Sequence, residues 1–218
     1  MDTERSHKLK NKKILITAGP TWVPIDNVRV ISNIATGETG ILLAEEAHKQ
    51  GAKVTLLLGP ISDCCLDNSI NIIRFKFFDE LHKVIKKELK NKKYDIVIHS
   101  AAVSDYKPGI CYRQKIKSGI KKWRLNLIPT PKIIDLIKKI DSTLFLVGFK
   151  FEPGAGRQLL LKKAKNLMNR AKLDLAVANS IDKDKYIAFV INTHRTYGPF
   201  FNKNLLASKL IKIIRERL

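Results

Sequence analysis

Cysteine is scarce in this 218-residue chain: Cys64, Cys65 and Cys111 are all there is. That number and spacing build neither a disulfide framework nor a zinc site, so no metal-ligating cluster is expected and a reducing cytoplasm is the expected compartment. No apolar run approaches the length of a membrane span, so no membrane partner is expected. The opening MDTERSHKLKNKK has no apolar segment, which excludes a secretory signal and reads as a solvated, disordered basic tail over residues 1–11. No internal repeat occurs. No basic stretch is interleaved with aromatics, as a single-strand nucleic-acid surface requires. Acidic residues are also few, 20 against 41 Lys+Arg, for a net charge of +21. Such a balance favours anionic partners, although most of the excess is lysine on faces expected to be solvated.

What is present is organised around VRVISNIATGETG, residues 28–40. It lies between a continuous apolar run at residues 13–17 and a helix-periodic run beginning at Ile41. A buried strand therefore leads through a long loop into a helix that opens with glycines. The unpaired N–H groups of such a helix start form an anion site. Gly37 and Gly40 have no Cβ to keep a phosphate from the main chain, and Arg29 and Asn33 lie in the same loop.

Strands are then expected at 54–58, 70–75, 94–99, 144–149, 173–178 and 187–191, with a turn or short strand at 196–199. Helices are expected at 38–50, 79–90, 132–140, 156–171 and 204–217, the third with Pro131 at its start. Continuous apolar strands with helical crossovers imply a Rossmann-like, doubly wound, mostly parallel α/β sheet over residues 12–218. Ligands bind such sheets at the C-terminal ends of the strands. No helix is expected between the second and third strands. Residues 105–130 leave the pattern as a basic flap, with an exposed alternating strand at 124–128.

These pieces resemble the phosphopantothenate–cysteine ligase family, also called phosphopantothenoylcysteine synthetase. ITAGPT, then PID-x-VR-x-ISN-x-x-TG-x-x-G, AAVSDYKP, KIK, PTPKII, VGF and DLAVAN stand in that family's order from residue 13 to 179. The resemblance implies a ligase that joins 4′-phosphopantothenate and L-cysteine through an acyl-nucleotide, in coenzyme A biosynthesis. It implies CTP as the nucleotide substrate, with ATP possible, and Mg2+. It also implies a homodimer in which the flap takes part. At 218 residues the chain leaves no room for the flavin-binding decarboxylase often fused to this domain. The expectation is therefore a stand-alone ligase, with a separate phosphopantothenoylcysteine decarboxylase as a possible partner.

By the same resemblance, Gly19, Gly37 and Gly40 cradle the nucleotide phosphates. Lys115, Asp105, Phe149 and the segment Thr130, Pro131, Lys132 and Ile133 bind the nucleotide. Arg29, Ala101 and Ala102 contact phosphopantothenate. Asn33 turns over the acyl-nucleotide, its NH2 group donating to the acyl oxygen, with Lys115 as the second catalytic residue. Taken singly, Asp105 would suit a turn, Phe149 a core and Lys115 a solvated surface; the shared order assigns them. The chain departs from the family where two nucleotide-facing lysines are expected, which here are Leu167 and Ala171. Arg170, Lys172 or Lys165 are the candidate substitutes. Lys150 and Phe151 also bring bulk beside the nucleotide, and Ser118 replaces the last lysine of the KIKK pattern.

Two other readings compete. A nicotinamide-dependent, NAD(P) Rossmann oxidoreductase lacks G-x-G-x-x-G after the first strand and an acidic residue after VTLLL. A basic RNA-binding protein would show nucleic-acid affinity that collapses with salt.

Overall fold

The apolar run after Lys12 has no polar alternation, so both of its faces need cover. It forms the central strand β1 (Lys13–Ala18), buried from Ile14 onward. This computed structural model describes residues 9–61 and 66–218. The chain continues through the hairpin β2 (Trp22–Pro24) and β3 (Val30–Ser32), helix α1 (Glu38–Lys49), β4 (Lys53–Leu58), β5 (Asn71–Arg74), α2 (Phe78–Asn91) and β6 (Ile96–His99). A second hairpin follows, β7 (Tyr106–Pro108) with β8 (Leu127–Pro129). Then come α3 (Ile133–Ile140), β9 (Phe145–Phe151), α4 (Arg157–Ala171), β10 (Leu175–Asp182), β11 (Lys185–Ile191), β12 (Thr196–Phe200) and α5 (Lys203–Arg215).

Eight strands form the main sheet in the order β12-β11-β10-β9-β6-β1-β4-β5. Pairing is parallel from β10 to β5, and antiparallel where β11 and β12 extend one edge. Successive side chains of each strand point to opposite faces, so the core has two layers. Ile14, Ile16 and Leu56 pack with Leu43 of α1 and with Leu206 and Leu210 of α5. Leu15 and Val97 pack with Leu81 of α2, Ile137 of α3 and Leu160 of α4. The doubly wound, mostly parallel expectation is met.

Several expectations move. The loop expected after β1 contains the β2–β3 hairpin, whose three-residue strands around Asp26 are too short to show a period of two. The strand expected at 124–128 forms at Leu127–Pro129 instead, paired to β7. Pro131 stands before the cap of α3, which is Lys132, rather than inside the helix. As expected, β4 and β5 pair in parallel with no helix in the described part of their connection. Cys64 and Cys65 lie outside the described residues, as do residues 1–8 of the expected tail.

The tail boundary at residue 11 is also corrected. Leu9 is fully buried in the α1–α5 layer, the Lys12 N–H donates to the Leu9 carbonyl (3.0 Å), and the Asn11 N–H donates to the Gly51 carbonyl (3.2 Å). The apolar side chain closes the bottom of the core beside the α1 terminus, so the lysines that surround it in sequence do not set its fate. Leu9→Ala should therefore cost about 2–5 kcal/mol of stability in a urea titration, as for other buried leucines. A change within about 0.5 kcal/mol, typical of surface positions, would place Leu9 outside the core.

Candidate active site

The strand order reverses at β1. The chain runs outward through β4 and β5, then returns to β6 on the other side of β1. Loops leaving the C-terminal ends of β1 and β6 part there, and a cleft of about 900 Å3 opens between them.

Threonine hydroxyls hold its floor. Thr17 Oγ1 accepts from the Ala101 N–H (3.1 Å), and Ser100 Oγ donates to the Thr17 carbonyl (2.6 Å). Thr21 Oγ1 accepts from the Ser104 N–H (2.9 Å). Thr130 Oγ1 donates to the Ser104 carbonyl (2.6 Å), and its N–H donates to that of Asp105 (2.9 Å). Gly19, Ala101, Ala102, Asp105 and Thr130 are thereby gathered along one rim, followed by Pro131, Lys132 and Ile133. Lys132 Nζ reaches Asp105 Oδ1 at 2.6 Å.

The opposite rim is the start of α1. Gly37 caps the helix in the left-handed region (φ 74°) with no side-chain cap of its own, and of the first-turn N–H groups only that of Glu38 meets a side chain, Thr36 Oγ1 at 3.4 Å. First-turn N–H groups therefore face the cleft with the partial positive charge of a helix start. Gly40 lines the cleft, but a Cβ there would fall 2.4 Å from Ala18 Cβ and 2.9 Å from Ser100 Oγ. Its lack of a side chain lets α1 approach the sheet, rather than opening the main chain to a ligand as expected.

Asn33 overhangs the same space. Its Nδ2 donates to the carbonyls of Ala102 and Val103, each at 3.1 Å. The NH2 group is thus occupied, and Oδ1 is the atom left to meet a ligand. In this arrangement the NH2 group expected to donate to an acyl oxygen is already engaged by two main-chain carbonyls.

Phe149, half-buried, carries the wall onto β9. On α4, Lys163, Asn166, Leu167 and Arg170 recur at helical spacing along the cleft face. Leu167 brings no charge and Ala171 is buried, so the two replaced lysines have no counterpart at their own positions. Arg170 does reach the cleft; Lys165 and Lys172 do not line it. Sequence reasoning missed Lys163, Lys203, Glu152 and Tyr186, which meet only because β9–β11 and the starts of α4 and α5 converge there. The i, i+7 spacing of Lys163 and Arg170 is the trace this leaves in the sequence, and among 41 Lys+Arg it does not single them out.

Arg29 and Lys115 are not among the residues lining the cleft. Arg29 Nη1 donates to Asp26 Oδ2 (2.6 Å) and to the Ile116 carbonyl (3.3 Å), and its guanidinium lies 5.6 Å from the Trp123 ring centroid. Burial alone would raise the Asp26 pKa, but N–H donors from Val28, Ile116 and Arg29, with the Arg29 side chain, hold it down at about 2. Lys115 is exposed beside Ile116, whose N–H donates to Asp26 Oδ2 (3.1 Å). Both expected ligands thus sit together on the β2–β3 hairpin and flap, because Asp26 ties those segments to each other.

The profile of the DNA/pantothenate metabolism flavoprotein C-terminal domain matches residues 9–217. The chain belongs to this family. It is 42% identical over 215 residues to the coenzyme A biosynthesis bifunctional protein CoaBC of Thermococcus kodakarensis, covering 96% of this chain and 52% of that protein. Identity to the Borreliella burgdorferi protein of the same name is 36% over 216 residues, with 94% and 53% covered. The chain therefore spans about half the length of these curated relatives. The crystal structure of the DNA/pantothenate metabolism flavoprotein from Streptococcus pneumoniae superposes with a TM-score of 0.84 at 25% identity, covering 95% of this chain and all of that one. Within the family domain, the matched segment includes every cleft residue named above.

At the cleft floor His99 is buried, with Nδ1 2.9 Å from Thr17 Oγ1. Burial disfavours its charged form and pushes its pKa from 6.5 down to about 4. Between those values the unfolded chain binds a proton that the folded one refuses, so stability falls as pH drops through that window. The loss should reach about 3 kcal/mol at the lower end. His99→Gln should remove this part of the slope in denaturant titrations run between pH 7 and pH 4. An unchanged slope would show that His99 does not titrate this way.

Proposed function

We propose that this domain joins 4′-phosphopantothenate to L-cysteine, forming 4′-phosphopantothenoylcysteine through an acyl-nucleotide. The carrying observation is that the open start of α1 and the Oδ1 of Asn33 face one cleft at the strand-order reversal. The names of the long relatives, coenzyme A biosynthesis bifunctional proteins, support the same reading.

In the first step a carboxylate oxygen of phosphopantothenate attacks the α-phosphorus. The bond to the bridging oxygen breaks, and pyrophosphate leaves. The first-turn N–H groups of α1 and the cleft lysines offset the repulsion between carboxylate and phosphates. Phe149 and the Thr130–Ile133 segment hold the nucleotide, CTP in this proposal with ATP as the alternative. In the second step the cysteine nitrogen attacks the acyl carbon, the acyl–phosphate bond breaks, and the nucleoside monophosphate leaves. Asn33 Oδ1 accepts from the incoming amine and aims its lone pair at the acyl carbon, a positioning contribution.

Among the described residues no group of three metal-liganding side chains occurs. A magnesium ion would then come with the nucleotide, and Asp105 is the protein carboxylate that would help to hold it. The ion would supply charge neutralisation on the phosphates.

The domain acts as a cytoplasmic homodimer in this reading, alongside a phosphopantothenoylcysteine decarboxylase. Among the described residues no helix is long and apolar enough to cross a membrane. Ile110, Ile120, Trp123, Leu127 and Ile128 are exposed on the flap, an apolar surface in want of cover. Pairing of flaps would also bring Lys115 toward a partner's cleft and Arg29 toward the phosphate end of phosphopantothenate.

A coupled assay tests the reading. Pyrophosphate should appear only with nucleotide plus phosphopantothenate, and amide only when cysteine is added. Asn33→Ala should stay folded, retain the pyrophosphate burst and lose amide formation by about 10²-fold or more. Normal amide formation by the variant would remove Asn33 from the second step.

For the assembly, light scattering should give twice the chain mass for the wild type. A Leu125→Asp, Leu127→Asp variant should give the monomer mass. A monomeric wild type, or a variant that stays dimeric, would exclude this flap surface as the interface.

A further inference from the structure

Five cations and three carboxylates line the cleft. Most of these charges pair one to one. Lys132 meets Asp105, Lys203 meets Glu38, and Arg170 meets Asp135 behind the wall (3.3 Å). Glu152 differs, because one carboxylate serves two ammonium groups. Lys150 Nζ lies 2.9 Å from Oε1 and Lys163 Nζ lies 2.5 Å from Oε2. Lys150 and Glu152 stand two residues apart at the end of β9, and so project to the same side. Lys163 enters from α4.

The Glu152 carboxylate is more buried than either lysine, with 19% of its side chain exposed against 37% and 40%. Hydrogen bonds from Lys163 and then Lys150 hold its pKa below the usual carboxylate value, so it is ionised at neutral pH. The trio therefore carries one net positive charge. Removing one lysine from the carboxylate leaves the other in place, so no charge is stranded. Separating Lys132 from Asp105 would instead leave a carboxylate facing any incoming anion.

We propose that Glu152 is a built-in competing anion. It holds Lys150 and Lys163 together, releases one of them to a polyphosphate chain while keeping the other, and thereby limits affinity for that chain. The inference rests on the proposed function only in taking the polyphosphate to be that of a nucleotide. Its physical content requires a polyphosphate anion and nothing more.

The test is calorimetric titration of CTP, ATP and inorganic tripolyphosphate into the wild type and into Glu152→Gln, with circular dichroism as the check of folding. Removing the competing charge should tighten binding by about three- to tenfold, the scale of one or two partly exposed ion pairs. Weaker or unchanged binding by folded Glu152→Gln would overturn the proposal. A second arm does not depend on the sign of that change. Lys150→Met should weaken tripolyphosphate binding more in the Glu152→Gln background than in the wild type, because there the lysine has no rival anion. Equal effects in both backgrounds would overturn the proposal. The two readings separate cleanly. Tripolyphosphate binding with this variant pattern, but no ligase activity, removes the proposed function and keeps this inference. Ligase activity without the pattern does the reverse.

Discussion

The close approach of three backbone segments at the top of β1 sets everything above the sheet. Ala18 ends the strand, Gly40 lets the first turn of α1 rest on it, and Ser100 leaves β6 beside both. A single methyl group at residue 40 would separate them. Thr17 and Thr21 then fasten the 100–104 turn to the β1 exit by hydroxyl and backbone hydrogen bonds rather than by apolar packing. Such bonds are directional, so they fix positions and not merely proximity. Asn33 is tied to the carbonyls of the same turn. The cleft is thus built on polar contacts between loops, above a core that is apolar in both layers.

Much of the fold could be read from the chain. The central strands are continuous apolar runs, and the helices carry a regular apolar face, so local pattern and tertiary role agree. The elements that escaped are those whose formation is decided by partners. The β2–β3 hairpin is two three-residue strands around the Asp26 turn, and no periodicity exists over three residues. Leu9 is a lone apolar residue between lysines, and only the end of α1 beside it explains its burial. The site divides the same way. Residues in compact motifs, such as Asp105, Thr130 and Phe149, came together as expected. The cations of α4 did not announce themselves, because the chain has 41 Lys+Arg and the spacing of any two is uninformative until the helix face is known. The orientation of the Asn33 amide was likewise beyond the sequence, since it depends on two carbonyls some seventy residues away.

The large positive charge takes on a different meaning once it is mapped. Around the cleft the cations are met by carboxylates, so the site is far closer to neutral than the chain as a whole. The excess lies on outer faces such as Lys83, Lys87 and Lys90 of α2, and Lys209 and Lys212 of α5. There it raises the potential around the molecule and draws anions to its surface, while local pairs govern what happens inside.

The outermost strand carries a consequence of its own. β12 ends the sheet, and its outer rim would offer a free row of backbone donors and acceptors to another chain. Pro199, within that strand, has no N–H to give, and the register of β12 against β11 is broken by a bulge. At the other end, β5 is only four residues long. Neither border of the sheet is a good template for ribbon-like stacking of one molecule on the next. A protein with so many buried β-strands is thereby hindered from stacking into fibrils along the borders of its main sheet.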